Sequence, residues 1–319
     1  MPLAIVHSAE AWAERFGKSG KGAALTIGNF DGVHLGHQKI LRGVLERARQ
    51  SRLMSAVLTF YPHPARVLRP AEAPALLETL VQRLQAIEAI GIESALVIQF
   101  DAALAEIGPE DFVRRFLVDT MRAQSVLIGA NFRFGHHQAG DAKSLADLGG
   151  QWGFEVAIVS PVVEDGSVVS STAIRHALRG GNVEQAARML GRLFSLAGEI
   201  RTGTGQGRKL VVPTLNLATE QELLPKDGVY ATEAVVEGKT YRAATNIGVR
   251  PTFDGARRTV ESHLFDFRED LTSGKLKVRF RKRLRDEQKF SGPAELRTQV
   301  LRDIEEAKEY FREAASRTA

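Results

Sequence analysis

Residues 23–38 read Ala-Ala-Leu-Thr-Ile-Gly-Asn-Phe-Asp-Gly-Val-His-Leu-Gly-His-Gln. The first five form an apolar run short enough for a buried strand. Gly28 and Gly32 allow a tight turn, and from Gly36 onward Ile40, Leu41, Val44, Leu45 and Ala48 recur at helical spacing. A strand that turns through glycines into a helix presents unpaired N–H groups, and the positive end of the helix dipole, to an anion. His34 and His37, three residues apart, add two ring N–H donors at the same place. The stretch therefore predicts a phosphate-binding turn at the carboxyl end of a strand.

Strand-like and helical segments alternate outward from this turn. Further strands are expected at 55–60, 94–100, 125–129 and 154–159, with helices at 37–50, 78–90, 109–121 and 143–152. Continuous apolar strands with helical crossovers predict an α/β, Rossmann-like domain whose parallel sheet is covered on both faces. Ligands in such sheets lie beyond the carboxyl ends of the strands, where 28–37, Tyr61-Pro-His-Pro64 and Asn131-Phe-Arg-Phe-Gly135 also fall. Short helices at 172–179 and 183–190 close this half. From Phe194 the pattern changes to strands at 194–201, 211–218, 229–237, 239–247, 259–267 and 275–284, split by glycine turns. These predict a six-stranded antiparallel β-barrel, followed by a helix from about Pro293. The expected domains are 1–184 and 185–319.

Composition narrows the function classes. No cysteine is present, which excludes disulfides, thiolate metal sites and a cysteine nucleophile. No apolar run approaches the ~20 residues needed to span a bilayer; a cytoplasmic protein without a membrane partner is expected. Residues 1–184 carry 18 basic and 19 acidic groups, and 185–319 carry 25 and 19. Much of the second excess lies in Lys275-Leu-Lys-Val-Arg-Phe-Arg-Lys-Arg-Leu-Arg285, which reads as a strand with one apolar and one cationic face. That face opens a rival reading as a nucleic-acid-binding protein. No Gly-x-x-x-x-Gly-Lys-Ser/Thr occurs, which argues against a P-loop kinase.

His34-Leu-Gly-His37 resembles the His-x-Gly-His signature of nucleotidylyltransferases, whose chemistry is attack on the α-phosphate of a nucleotide. Ser170-Ser-Thr-Ala-Ile-Arg175 puts hydroxyls at a helix start and a guanidinium one turn later, a pattern suited to polyphosphate. Phe132 and Phe134 offer rings that could stack on a flat ring system or serve as buried core aromatics. Thr26–Gln38, Thr59–Pro64, Asn131–Asp141 and Ser170–Arg175 occur in this order in the bacterial bifunctional riboflavin kinase/FAD synthetases, and the resemblance runs over nearly the whole chain. It implies that the first domain transfers AMP from ATP to FMN, giving FAD and pyrophosphate. By matching position, His34 and His37 would act on the ATP phosphates with Gly28, Phe30, Gly36, Ser171, Thr172 and Arg175. His63 and Asn131 would lie at the flavin or the reacting phosphates. His136-His-Gln138 departs from the more basic run of relatives, so no phosphate contact is assigned there.

The second half carries its own motifs. Gly203-Thr-Gly-Gln-Gly207, followed by Arg208-Lys209, is a glycine loop of the kind that lets main-chain N–H groups approach phosphates. Thr214 and Asn216, two apart on a strand, offer neutral oxygens suited to Mg²⁺ that completes its shell with water and ATP. Glu261 stands among β-formers and is able to take a proton from a hydroxyl attacking a γ-phosphate. These segments resemble the riboflavin kinase half of the same family. The resemblance implies that Gly203, Gly205, Gly207 and Lys209 bind ATP, that Thr214 and Asn216 bind the Mg-nucleotide, and that Glu261 is the base. Arg285 and Glu287, in Leu284-Arg-Asp-Glu-Gln-Lys-Phe290, would lie at the flavin. Val211-Val212 replaces a common Gly-Phe pair and Leu271-Thr-Ser-Gly274 a usual Leu-Tyr-Gly, which predicts a slower kinase with all its proposed catalytic residues. Riboflavin, FMN and ATP are thus the expected partners, with flavins as substrates and products and Mg²⁺ as cofactor. Two further rivals are a nucleotidylyltransferase with another phosphorylated acceptor and a flavin-binding regulator with inactive sites. Oligomeric state, domain orientation and FMN channelling are not encoded in these motifs.

Overall fold

The computed structural model describes residues 2–201, 212–252, 255–269 and 271–316, in two compact units, Met1–Ser171 and Thr172–Ala319. In the first unit the strands are β1 (Ala4–Val6), β2 (Ala23–Ile27), β3 (Met54–Tyr61), β4 (Ser94–Gln99) and β5 (Ala123–Gly129), then a small hairpin of β6 (Arg133–Phe134) and β7 (Gly140–Asp141), then β8 (Glu155–Val159). Six of them form one parallel sheet in the order β1-β4-β3-β2-β5-β8. The helices are α1 (Ala9–Phe16), α2 (Leu35–Ser51), α3 (Pro64–Leu68), α4 (Leu80–Ile90), α5 (Ala102–Ala105), α6 (Pro109–Phe112) and α7 (Ala142–Trp152).

Alternate strand residues feed two cores. Leu25, Leu58 and Leu96 join Trp12, Phe112 and Phe116 on one face, while Ala24, Val57 and Val97 join Leu41, Val44 and Ile87 on the other. The pleat sends neighbours to opposite faces, and both faces are covered, which is why these strands read as unbroken apolar runs. The helix expected at 109–121 is helical but widens from Val113 to Thr120 into a π-helix. The Thr120 hydroxyl donates to Arg115 O at 2.7 Å and the Met121 N–H to Phe116 O at 3.0 Å, five residues back. Strand order reverses between β2 and β5, which places the turn after β2 at a topological switch point.

A second hairpin, β9 (Val163–Glu164) with β10 (Ser167–Val168), leads into α8 (Ser171–Arg179) and α9 (Val183–Leu190). In the second unit β11 (Ser195–Arg201), β12 (Leu215–Thr219), β13 (Gly228–Val236), β14 (Lys239–Thr252), β15 (Gly255–Leu264) and β16 (Lys275–Asp286) close an antiparallel barrel in the order β11-β12-β15-β14-β13-β16. The strands expected at 239–247 and 259–267 are longer or shifted, because β14 and β15 remain paired out to Thr252 and Gly255. Gly248 and Pro251 signal a break there, but ladder pairing overrides them. Helix α10 (Pro293–Ser316) lays Ile304, Ala307 and Phe311 on Ala231 and Ala244. Among the described residues no helix is long and apolar enough to cross a membrane.

Three hydroxyls bridge adjacent strands within the barrel. Thr232 Oγ1 lies 2.7 Å from Thr245 Oγ1, which lies 2.8 Å from Ser262 Oγ, and all three residues are fully buried. Thr245 therefore links both neighbours. Thr245→Val keeps the shape but leaves two hydroxyls short of a partner, an expected loss of about 1–3 kcal/mol. The denaturation midpoint of the second unit measures it, and an unchanged midpoint would refute the role.

Candidate functional sites

Beyond β2 the chain turns through Phe30 at φ 50°, Gly32 at φ 85° and Val33 at φ 34° before entering α2. A β-branched residue in left-handed space is a strained choice that only surrounding contacts can hold. Phe30 and Val33 are buried beneath the turn. A Cβ on Gly28 would stand 3.2 Å from the Phe30 ring, and one on Gly36 would stand 3.1 Å from the His34 imidazole, so both glycines leave room for these rings.

His34 caps α2, its Nδ1 accepting the His37 N–H at 3.4 Å. A neutral His34 must then carry its proton on Nε2, as a donor. The two imidazoles stack with centroids 3.7 Å apart and planes 19° apart, and Phe30 meets His37 edge-on at 5.3 Å. The structure thus brings His34 and His37 together at the helix start, as the sequence implied. His63 caps α3 in the same manner, its Nδ1 accepting Ala65 N–H at 3.1 Å. Asn131 is exposed just past β5. Because β3 and β5 flank β2, the loops carrying His63, His34 and Asn131 leave adjacent strands at the same edge. Ser171 Oγ donates to Asp31 O at 2.8 Å, tying the start of α8 to the turn. Thr172, exposed, and Arg175, buried, continue that helix.

Of the two rings Phe132 and Phe134, the second takes the core position and the first is half-buried. They stack on each other at 5.4 Å, and Phe134 is buried in the core against Phe112. His136 is likewise engaged, its Nδ1 lying 3.0 Å from Ala105 O. Two residues absent from the sequence-based site emerge beneath the turn. The Asp31 carboxylate, 3% exposed, accepts the N–H groups of Leu77 and Glu78 at 3.0–3.2 Å. The Arg83 guanidinium, 1% exposed, donates to Asn29 O at 2.6 Å.

In the second unit a cavity of about 320 Å³ opens beside β14, β15 and α10, lined among others by Thr214, Asn246, Glu261, Arg285 and Glu287. Asn216, Glu261 and Asn246 are direct register partners across β12, β15 and β14. Cross-strand partners share a face, so the carboxylate stands between two amides. Thr259 Oγ1 donates to Glu261 Oε1 at 3.2 Å. His263, also in the lining, lies with Nδ1 2.9 Å from Pro213 O, holding the chain just before Thr214. Asn246 and His263 went unassigned in the sequence, although His263 sits two residues from Glu261 and Asn246 faces that acid across the ladder. The lining also has an apolar part, with Val212, Val229, Phe290, Leu296 and Val300. A Cβ on Gly248 would meet the Glu287 carboxylate at 2.1 Å, so a side chain there would displace Glu287 from this position.

Arg285 lines the cavity, but Nε and the NH2 nitrogen bind the Asp303 carboxylate at 2.7 and 2.6 Å and the NH1 nitrogen donates to Asp286 O at 2.8 Å. Its donors secure α10 to the barrel. Four more cations of this strand are engaged: Arg279 and Arg281 pair with Glu233, Lys282 lies over the Tyr310 ring, and Arg283 pairs with Asp286. Hydrogen bonds and charge from Arg283 and Lys226 hold the Asp286 carboxyl down at about 2. Gly203, Gly205, Gly207, Lys209 and Val211 lie outside the described residues. Among the described residues no group of three or more His, Cys, Asp or Glu could hold a metal ion. The neutral oxygens of Thr214 and Asn216 beside Glu261 fit a divalent ion that brings nucleotide oxygens and water with it.

Both halves of the chain match known families. Residues 17–173 match the FAD synthetase family model and residues 190–311 the riboflavin kinase model. The bifunctional riboflavin kinase/FMN adenylyltransferase of Escherichia coli K12 is 36% identical over 91% of this chain and 93% of its own. Those of Pseudomonas fluorescens (37%, 90% and 93%) and Bacillus subtilis (35%, 91% and 92%) are similarly close. A solved structure named as a macrolide-efflux protein from Streptococcus pneumoniae superposes with a TM-score of 0.83 at 27% identity, covering 97% of this chain and 99% of that one.

Proposed function

The chain belongs to the bifunctional riboflavin kinase/FMN adenylyltransferase family, and on that premise we propose which residues perform its two reactions. ATP phosphorylates riboflavin to FMN, and a second ATP adenylylates FMN to FAD with release of pyrophosphate. One observation carries the residue assignments: each unit gathers its own motif residues, His34 with His37 at the start of α2 and Glu261 with Asn216 and Asn246 across the barrel strands.

In adenylyl transfer an FMN phosphate oxygen attacks the α-phosphorus of ATP as the bond to the pyrophosphate oxygen breaks. His34, its Nδ1 occupied as a cap, donates from Nε2 to a phosphate oxygen, and His37 and the α2 N-terminus share the charge. His63, whose Nε2 carries the proton of the neutral ring by the same capping logic, and Asn131 orient the flavin phosphate. No covalent enzyme intermediate is needed, so positioning and charge neutralisation supply the rate.

In the kinase half Glu261 takes the proton of the riboflavin primary hydroxyl as that oxygen attacks the γ-phosphorus and ADP leaves. The apolar wall receives the flat ring system, with Arg285 and Glu287 at its edge. Thr214 and Asn216 would hold Mg²⁺, which when bound neutralises charge on the ATP phosphates. The resemblance gives the glycines at 203, 205 and 207 and Lys209 to binding those phosphates. We take 1–184 and 185–319 as the two catalytic halves, acting in the cytoplasm. Incubation with riboflavin, ATP and Mg²⁺, followed by chromatography of the flavins, is expected to show FMN and then FAD. Absence of both products would overturn the reading.

A further inference from the structure

Arg83 is a buried cation that neither reaction uses. It sits on α4, is 1% exposed, and points its NH1 nitrogen at three groups. These are Asn29 O at 2.6 Å in the turn after β2, Thr59 Oγ1 at 3.4 Å and Phe60 O at 3.5 Å near the end of β3. Burial lowers its pKa, opposed by the charges of Asp31 and Glu78. Its Nε is buried without a hydrogen-bond partner, so the side chain is not there to satisfy its own donors. A guanidinium held under such terms is costly unless it fixes something else. What it touches is the backbone of a turn with Phe30 and Val33 in left-handed space, and such a turn relaxes unless its neighbours over-determine it.

We propose that Arg83 is a positioning residue of the adenylyltransferase site, clamping the turn at Asn29 to the end of β3 so that the phosphate-binding edge at His34 and the loop bearing His63 keep a fixed separation. It reaches no substrate and acts through Asn29 O. The inference rests on the reading that ATP binds at this turn.

The test compares Arg83→Met and Arg83→Lys in the full chain. It measures KM for ATP in FAD formation from supplied FMN, and calorimetric binding of α,β-methylene-ATP with the kinase cavity saturated by riboflavin and ADP. Arg83→Met is expected to raise both constants about 10–100-fold, the worth of a hydrogen bond to a charged group. Riboflavin phosphorylation by the same polypeptide stays at the unsubstituted rate. Arg83→Lys retains a charge and a donor without the rigid fork and is expected to raise KM by less. A purely structural role would lower the active fraction and kcat while leaving KM and affinity alone; that result overturns the proposal. If Arg83→Met fails to fold, Arg83→Lys decides: a raised KM at an unchanged melting temperature supports the clamp, and an unchanged KM, or a lost fold, overturns it. His37→Ala is the control. If it too leaves ATP binding unchanged, the site reading itself has failed; if it alone weakens binding, only the clamp has.

Discussion

Substituting His37 by Ala stops FAD formation while FMN continues to accumulate from riboflavin and ATP. The expected loss in the second reaction is about 10²–10³-fold, the usual consequence of deleting one donor aimed at developing negative charge. His37 is half-exposed at the start of α2, with its ring stacked 3.7 Å from His34, so the fold survives its removal. Deletion also strips the His34 imidazole of its stacking partner and leaves the pyrophosphate only His34 and the helix N-terminus. The kinase residues Glu261, Asn216 and Asn246 lie wholly in the other compact unit, and riboflavin phosphorylation is expected to keep its rate. Chromatography of reaction mixtures started from riboflavin measures both steps at once. FAD appearing at the unsubstituted rate, or both steps failing together, would refute separate sites.

That separation is readable in the sequence wherever pattern and chemistry coincide. The apolar strands β2 to β5 are buried on both faces and announce themselves, as does the strand-turn-helix at 23–38. What stays hidden is of three kinds. Short edge elements carry too few residues for a period: β1 is Ala4–Val6. Pairing overrides turn signals at Gly248 and Pro251, because a long hairpin ladder satisfies backbone groups that the local sequence is ready to release. And paired charges hide within apolar stripes. Arg83 falls between Leu80, Leu84 and Ile87, and Asp303 between Val300, Ile304 and Ala307, each at helical spacing with core residues. A charge on such a stripe is either misplaced or partnered. Here Asp303, 4% exposed, takes the fork of Arg285, so a residue expected at the flavin also ties α10 to the barrel.

Glu261 is the kinase counterpart of His37. Glu261→Gln keeps the size and the hydrogen-bonding oxygen that Thr259 reaches at 3.2 Å, so the barrel and the cavity persist, but the amide takes no proton. Riboflavin phosphorylation is expected to fall about 10²–10⁴-fold, the span attached to a positioned general base. FAD synthesis from supplied FMN is expected to continue unchanged, the mirror image of the His37 variant. The loss belongs in kcat: Asn216 and Asn246 still flank the position, the apolar wall of Val229, Phe290 and Val300 is intact, and KM for riboflavin moves little. A solvent-facing glutamate of no catalytic use would leave kcat where it was. A glutamate acting mainly as a metal or nucleotide ligand would instead raise KM for Mg-ATP and be rescued by excess Mg²⁺. Titrating Mg²⁺ against the Glu261→Gln variant therefore separates proton removal from charge binding, and full recovery at high Mg²⁺ would dismiss Glu261 as the base.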